Sequence, residues 1–340
     1  MLSVIEEDQI YLEDPEESVR LELVVSGNDA NYNPSLYTET SMVVVGGHPN
    51  GDTFRVDFIA PPPCESRFGS MGSVSHPVYW NERKAAESDL EGRYGDASIL
   101  IASDVWLDCA RTMGQLNTCL ERCERSQIVP TAFVFMGPFL STRLVAAQSI
   151  ALLARSFRTL AEMIAKLPTI VKTSRFIFMP SMEDPLGVDL LPRFELPHEL
   201  LQPLVNEGID CIMASNPCRL YFFSKELVLF RHDLSRALKR NCLTSISSGA
   251  AKGADVLKII IEQAHLCPLP LTVQPRAWEY DHVLTVYPQP HYLVVAEQSR
   301  PSKHEENGDC IGVNPGSFAT CEFSFSILYP LLGKVEACKI

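Results

Sequence analysis

Three short stretches hold the residues whose types and spacing could do chemistry. They are Ser103-Asp104-Val105-Trp106, Met136-Gly137-Pro138-Phe139 and Pro180-Ser181-Met182-Glu183-Asp184-Pro185. Asp104 has the oxygen donors of a metal ligand, and Glu183 with Asp184 is a carboxylate pair of the kind that serves general acid–base work. His265 and His291 are the imidazoles nearest in kind to a ligand role. A metal ion of a hydrolytic centre needs three or four well-placed ligands, and this set falls short. Asp104 is therefore expected as a helix N-cap, Trp106 as core, and His265 as a satisfied core or cap residue. The Glu183–Asp184 pair lacks a basic or metal counterpart. No catalytic, cofactor-binding or metal-binding residue is assigned, and no cofactor is expected.

Each stretch ends an apolar, β-prone run: ASILIA at 97–102, TAFVFM at 131–136 and RFIFMP at 175–180. Helix-length segments separate the runs. In the first, Met113, Leu116, Leu120 and Cys123 recur at helical spacing; in the second, Ile150, Leu153, Phe157, Leu160, Ile164 and Leu167 do so before Pro168 ends the pattern. Strand–helix–strand alternation predicts parallel neighbours in one sheet, with ligand chemistry at the strands' carboxyl ends. A short helix over 198–207, a strand DCIMAS, a hairpin of RLYFF and ELVLF about Ser224-Lys225, and a helix over 252–266 follow. Strands HVLTVY, HYLVVAE, DCIGV and EFSFSILY complete the chain. Strands that outnumber helices late in the chain fit a two-sheet α/β sandwich better than one doubly wound sheet.

Residues 1–63 read differently. IYLED, VRLELVV, SMVVVGG and FRVDFIA are short strands parted by turns such as Asn33-Pro34-Ser35 and His48-Pro49-Asn50-Gly51-Asp52, as in a small antiparallel barrel. Its first strand reads as clipped at Met1, and Pro61-Pro62-Pro63 closes it. Residues 64–96 form a linker with Val78-Tyr79-Trp80 as its apolar anchor, and Gly69-Ser70-Met71-Gly72 lacks the flanking strand of a phosphate loop.

The formal charge of −13 is concentrated in residues 1–63, where twelve acidic groups face Arg20 and Arg55. Nucleic-acid binding depends on Lys and Arg neutralising phosphates, so a protein partner suits this segment better. The densest basic region is Arg219, Arg231, Arg236, Lys239 and Arg240, read as a solvated face with DNA or an acidic partner as the alternative. Eleven cysteines without a CxxC pair read as free thiols of a reducing compartment. No apolar run reaches the roughly 18 residues of a membrane span, and the acidic first residues are unlike a signal peptide. A soluble intracellular protein is expected.

The strand-end stretches resemble calcineurin-like metallophosphoesterases with their ligands removed. Trp106 stands where that motif has His, Pro138 follows Gly137 in place of a bridging Asp, and Ser181-Met182-Glu183-Asp184 occupies the Gly-Asn-His-Asp position. Pro290-His291-Tyr292-Leu293 is the nearest match to its late histidine motif. Such a domain behind a small barrel resembles the B subunits of eukaryotic replicative DNA polymerases, most closely the epsilon branch. The resemblance rests on Tyr11-Leu12-Glu13-Asp14-Pro15, Leu36-Tyr37-Thr38-Glu39, Leu191-Pro192-Arg193, Ser215-Asn216-Pro217-Cys218-Arg219, Phe230-Arg231-His232-Asp233-Leu234, His265 to Leu271 and Asn314-Pro315-Gly316-Ser317-Phe318.

The resemblance implies an OB fold over 1–63, a linker over 64–96 and an inactivated phosphoesterase-like domain over 97–340. It also implies a further helical domain ahead of the barrel, which this sequence does not contain. The implied function is that of a non-catalytic scaffold subunit of DNA polymerase epsilon in nuclear DNA replication. Its partners would be the C-terminal domain of the catalytic subunit, the other epsilon subunits and replisome proteins. DNA would be met only weakly or within the complex, and no membrane. The alternatives are an active phosphoesterase with unusual ligands, a B subunit of another replicative polymerase, and a single-strand-binding OB module.

Overall fold

A computed structural model describes residues 1–6, 9–14, 16–23, 31–32, 35–74, 91–92, 94–126, 129–142, 146–243, 255–306 and 310–340. Val78-Tyr79-Trp80, the Asn33-Pro34 turn and Pro15 lie outside the described residues. In chain order the elements begin with strands β1 (Leu2–Glu6), β2 (Gln9–Glu13), β3 (Ser18–Leu23), β4 (Asn31–Tyr32), β5 (Val44–Asn50) and β6 (Thr53–Ala60). Helix α1 (Arg67–Val74) covers the Gly69–Gly72 stretch, and β7 (Ile99–Ser103), α2 (Ala110–Arg125), β8 (Ala132–Met136) and α3 (Ala146–Ile164) follow. Next come α4 (Pro168–Thr173), β9 (Arg175–Met179), a 3-10 turn at His198–Leu201, α5 (Gln202–Asn206), β10 (Asp210–Met213), β11 (Cys218–Phe222) and β12 (Lys225–Arg231). Helices α6 (Leu234–Asn241) and α7 (Val256–Gln263) and a 3-10 helix Trp278–Leu284 precede β13 (Tyr292–Ala296), β14 (Ser302–Glu306), β15 (Cys310–Asn314), β16 (Ser324–Tyr329) and β17 (Lys334–Lys339).

These elements form two compact units, Met1–Ser70 with Leu234–Gln289, and Met71–Asp233 with Pro290–Ile340. The span 97–340, expected as one domain, is therefore interrupted. Residues 234–289 pack with the amino-terminal strands for identifiable reasons. The Leu243 N–H donates to the Tyr37 carbonyl at 2.7 Å, and Thr38 Oγ1 donates to the Pro268 carbonyl at 3.0 Å. The Gln263 side chain pairs with both backbone groups of Met42. The amino-terminal sheet runs β1-β2-β3-β6-β4, with β5 on β6, around a core of Leu2, Ile10, Leu21, Tyr37, Val56 and Ile59.

The second unit is the expected two-sheet α/β sandwich. One six-stranded sheet runs β10-β9-β8-β7-β16-β17, with β10, β9, β8 and β7 mutually parallel. The other, of five strands, runs β11-β12-β13-β15-β14. Alternation along each strand splits its side chains between two cores. Ile99, Ile101, Val134, Met136 and Ile177 meet Leu227, Leu229, Val294 and Val313 between the sheets. Phe133, Phe135, Phe176 and Phe178 face the other way, against Leu116, Leu120, Leu153, Phe157, Leu160 and Ile164 of α2 and α3. Burying such side chains stabilises the fold by roughly 1.5–3 kcal/mol each. The Phe133–Phe176 rings stack at 4.9 Å, and Phe157 meets Phe178 edge-on at 5.2 Å.

Three local expectations change. Pro168 is the first residue of α4, where its missing N–H costs nothing, and α3 has already ended at Ile164. HVLTVY is no strand: its backbone partners are the Ala264–Leu266 turn, through Leu266 N–H to Leu284 and Val286 N–H to Ala264. A single bridge there, His265 to Thr285, replaces a ladder. β14 and β17 are edge strands whose polar sequences carried no apolar run.

Candidate functional site

The carboxyl ends of β7, β8 and β9 come together as expected, but their residues do other work. Asp104 is fully buried and takes a left-handed backbone, φ 56°, which a non-glycine residue adopts only where its surroundings fix it. It is no N-cap. Helix α2 starts beyond it, after Cys109, without a side-chain cap. The partner of Asp104 is Arg231, the last residue of β12, whose side chain is 2% exposed. Nη2 of Arg231 donates to Asp104 Oδ1 at 2.7 Å, and Nε donates to the same oxygen and to the Gly137 carbonyl, both at 3.1 Å. Nη1 reaches the Ala296 carbonyl at 3.3 Å and Oδ1 of Asp233 at 3.3 Å. Burial opposes the charge, yet Asp104 and Asp233 hold the guanidinium pKa above its ordinary value.

Asn216 fixes the arginine's backbone. Its Oδ1 accepts the Arg231 N–H at 3.1 Å, and its Nδ2 donates to the Arg231 carbonyl at 2.8 Å. The basic region expected as one face is thereby divided. Arg231 is buried, Arg219 pairs with Glu226 at 2.8 Å, and Arg236, Lys239 and Arg240 are exposed on α6 in the other unit. Sequence reading missed the part Arg231 plays. Its signal was the run Leu227-Val228-Leu229-Phe230 directly before it, which marks a buried strand end.

The expected carboxylate pair also separates. Glu183 is exposed, whereas Asp184 is buried and accepts the N–H of Phe139 at 2.7 Å and of Ser181 at 2.8 Å. Burial pushes the Asp184 carboxyl above its usual range, although these hydrogen bonds pull the other way. A cavity of about 300 Å³ opens beside these loops, lined by Trp106, Pro138, Met182, Glu183 and Leu186 among others. Trp106 is half-buried in that wall rather than core.

The two histidines lie away from the strand ends. His291 precedes β13, five residues and thus roughly 16 Å from Ala296, and its Nδ1 accepts the Glu226 N–H. His265 belongs to the other unit, where Nδ1 accepts the Cys267 N–H and Nε2 faces Asp281 at 3.5 Å. The resemblance to metallophosphoesterases implies a pair of metal ions, and the donor set does not fit one. Asp104 is committed to a guanidinium, Pro138 and Met182 contribute no hard ligand, and Asp184 is spent on backbone N–H groups. Among the described residues no group of three or more His, Cys, Asp or Glu could hold a metal ion.

A two-sheet α/β sandwich whose strand ends close on their own arginine, in one chain with an acidic strand-rich segment, is the class that these observations define. The chain belongs to the B-subunit family of DNA polymerases alpha and epsilon, whose model matches residues 99–304. A second model, for the OB-fold domain of DNA polymerase epsilon subunit 2-like proteins, matches residues 1–63. The chain is 33% identical to DNA polymerase epsilon subunit 2 of Mus musculus, over 100% of this chain and 64% of that protein. It is 35% identical to the DNA polymerase epsilon B subunit of Arabidopsis thaliana, over 99% of this chain and 65% of the relative. It thus spans less than two thirds of the length of these curated relatives. Among solved structures, protein TT1561 of Thermus thermophilus is similar over 72% of this chain and 98% of its own, at 11% identity and a TM-score of 0.37. No helix among the described residues is long and apolar enough to cross a membrane.

Proposed function

We propose that the protein is a non-catalytic accessory subunit of the DNA polymerase epsilon complex, acting in the nucleus in DNA replication. It would bind and stabilise the C-terminal domain of the catalytic subunit, meet the other epsilon subunits and replisome proteins, and contact DNA only within that assembly. Residues 1–63 would serve as its OB-fold module, and the sandwich as an inactive phosphoesterase-like scaffold. Family membership supports the assembly. One structural observation carries the non-catalytic part: the Arg231–Asp104 pair fills the place where hydrolytic ligands would converge. A fold that keeps its packed core while its strand ends bond to one another offers surface rather than chemistry. A permanent interface of this kind buries more than roughly 2,000 Å².

Co-expression of the full chain with the C-terminal domain of the catalytic subunit tests the reading. A 1:1 complex that survives gel filtration at nanomolar concentration is expected. A monodisperse chain with no affinity for that domain overturns it, as does turnover of a phosphodiester by the purified chain with Mn²⁺.

A further inference from the structure

We infer that the Arg231 guanidinium is the resident cation of the strand-end site, bridging the ends of β7, β8, β12 and β13 and excluding a divalent metal from it. Four observations converge. The guanidinium contacts Asp104 at the end of β7, the Gly137 carbonyl after β8 and the Ala296 carbonyl that ends β13, while Arg231 itself ends β12. Those strands belong to both sheets, so one side chain ties the two layers together at this edge. The oxygens around it are two carboxylates and two carbonyls, the hard donors that a divalent cation would also choose. The Oδ2 atom of Asp104 is buried without a hydrogen-bond partner among the described residues, so nothing but the guanidinium offsets this carboxylate's charge at close range.

Chemically, the exchange of a metal for arginine alters what the site needs. A metal must be captured from solution, and its affinity falls when its ligands protonate. A guanidinium is covalently present and stays charged at every pH at which the protein folds. Its planar fork also meets oxygens at fixed angles, so the strand ends are held by direction as well as by charge. A divalent ion entering beside it would face a like charge where Arg231 and Asp104 are almost fully buried.

The test uses the full chain and thermal unfolding with wild type, Arg231→Met and the double variant Asp104→Asn/Arg231→Met, together with metal analysis of wild type. Methionine keeps the apolar stem and removes the charge, leaving Asp104 buried and uncompensated. Arg231→Met should melt about 10 °C or more below wild type, or yield no folded protein. Removing the orphaned carboxylate as well should restore at least half of that loss and return soluble protein. Wild type dialysed against 1 mM MnCl₂ and then desalted should hold no stoichiometric metal and melt as it does in EDTA. The inference is overturned if Arg231→Met melts with wild type, if the double variant is no better than the single, or if wild type retains one equivalent of metal. Complex formation with the catalytic subunit's C-terminal domain reads a different property, so either result can fail without the other.

Discussion

Asp184 Oδ1 accepts the main-chain N–H of Phe139 at 2.7 Å, joining two strand-end loops that are distant in sequence. Phe139 in turn packs its ring edge-on against Phe157 of α3 at 5.6 Å. One carboxylate thus links the loop after β9, the loop after β8 and the helix layer that covers the sheet.

Replacing Asp184 with alanine strands the N–H groups of Phe139 and Ser181 and the hydroxyl of Ser181, all buried. Each lost acceptor costs about 1–3 kcal/mol, so the variant should lose about 3 kcal/mol or more. Urea denaturation checks this, and a midpoint within error of wild type would remove Asp184 from the account.

Gly137→Ala presses on the same carboxylate. A Cβ at that position would lie 1.9 Å from Asp184 Oδ2 and 2.9 Å from the Ser181 nitrogen. Destabilisation by about 3 kcal/mol is expected, within the range for overpacked interiors. In the double variant Gly137→Ala/Asp184→Ala the clash with the carboxylate is absent and only the approach to the Ser181 nitrogen remains, so its loss should be about 1 kcal/mol or more below the sum of the singles. Additivity would show that the two residues do not meet.

In the amino-terminal unit, Thr38→Val removes a fully buried hydroxyl and leaves the Pro268 carbonyl without its donor. A loss of about 2 kcal/mol is expected. Amide hydrogen exchange provides the local readout: the Leu243 N–H, bonded to the Tyr37 carbonyl, should exchange faster in the variant while amides of β7 and β8 keep their protection.

His265 makes the stability of this unit depend on pH. Burial, and then the neighbouring Arg276, push its pKa below the ordinary 6.5, with Asp281 and a backbone hydrogen bond with Cys267 acting against the shift. The folded chain therefore binds fewer protons than the unfolded chain below that pH. The contribution is complete above about pH 6.5 and is lost as pH falls towards the folded-state pKa, by at most about 1.4 kcal/mol per pH unit. Urea midpoints at pH 7.5 and 5.5 should differ less in His265→Gln than in wild type.

The apolar periodicities were legible because burial writes them into the chain. ASILIA, TAFVFM and RFIFMP became β7, β8 and β9, and the Leu153–Ile164 part of the second stripe became the inner face of α3. The departures from the phosphoesterase motif at Trp106, Pro138 and Met182 could be read one residue at a time. The position of Arg231 could not, because its meaning depends on Asp104, Gly137 and Ala296, which are far from it in sequence. Asp104 looked like an N-cap for the same reason: capping is a local rule, and a buried charge partner is a tertiary fact. The return of residues 234–289 to the amino-terminal unit rests on single hydrogen bonds such as Leu243 to Tyr37, which leave no period to detect.

The order of the larger sheet also sets a timetable. Among the described residues β7 is the first strand of its unit to be made, and its two neighbours are β8, which follows soon after, and β16, where Ser326 pairs with Ile101 much later in the sequence. During synthesis one flank of β7 therefore stays unpaired until β16 has left the ribosome. Non-local pairing of this kind slows folding and leaves a strand edge open to wrong partners. A nascent chain should accordingly need shielding by chaperones between the emergence of β7 and that of β16, and should become resistant to protease only after residue 329 is exposed.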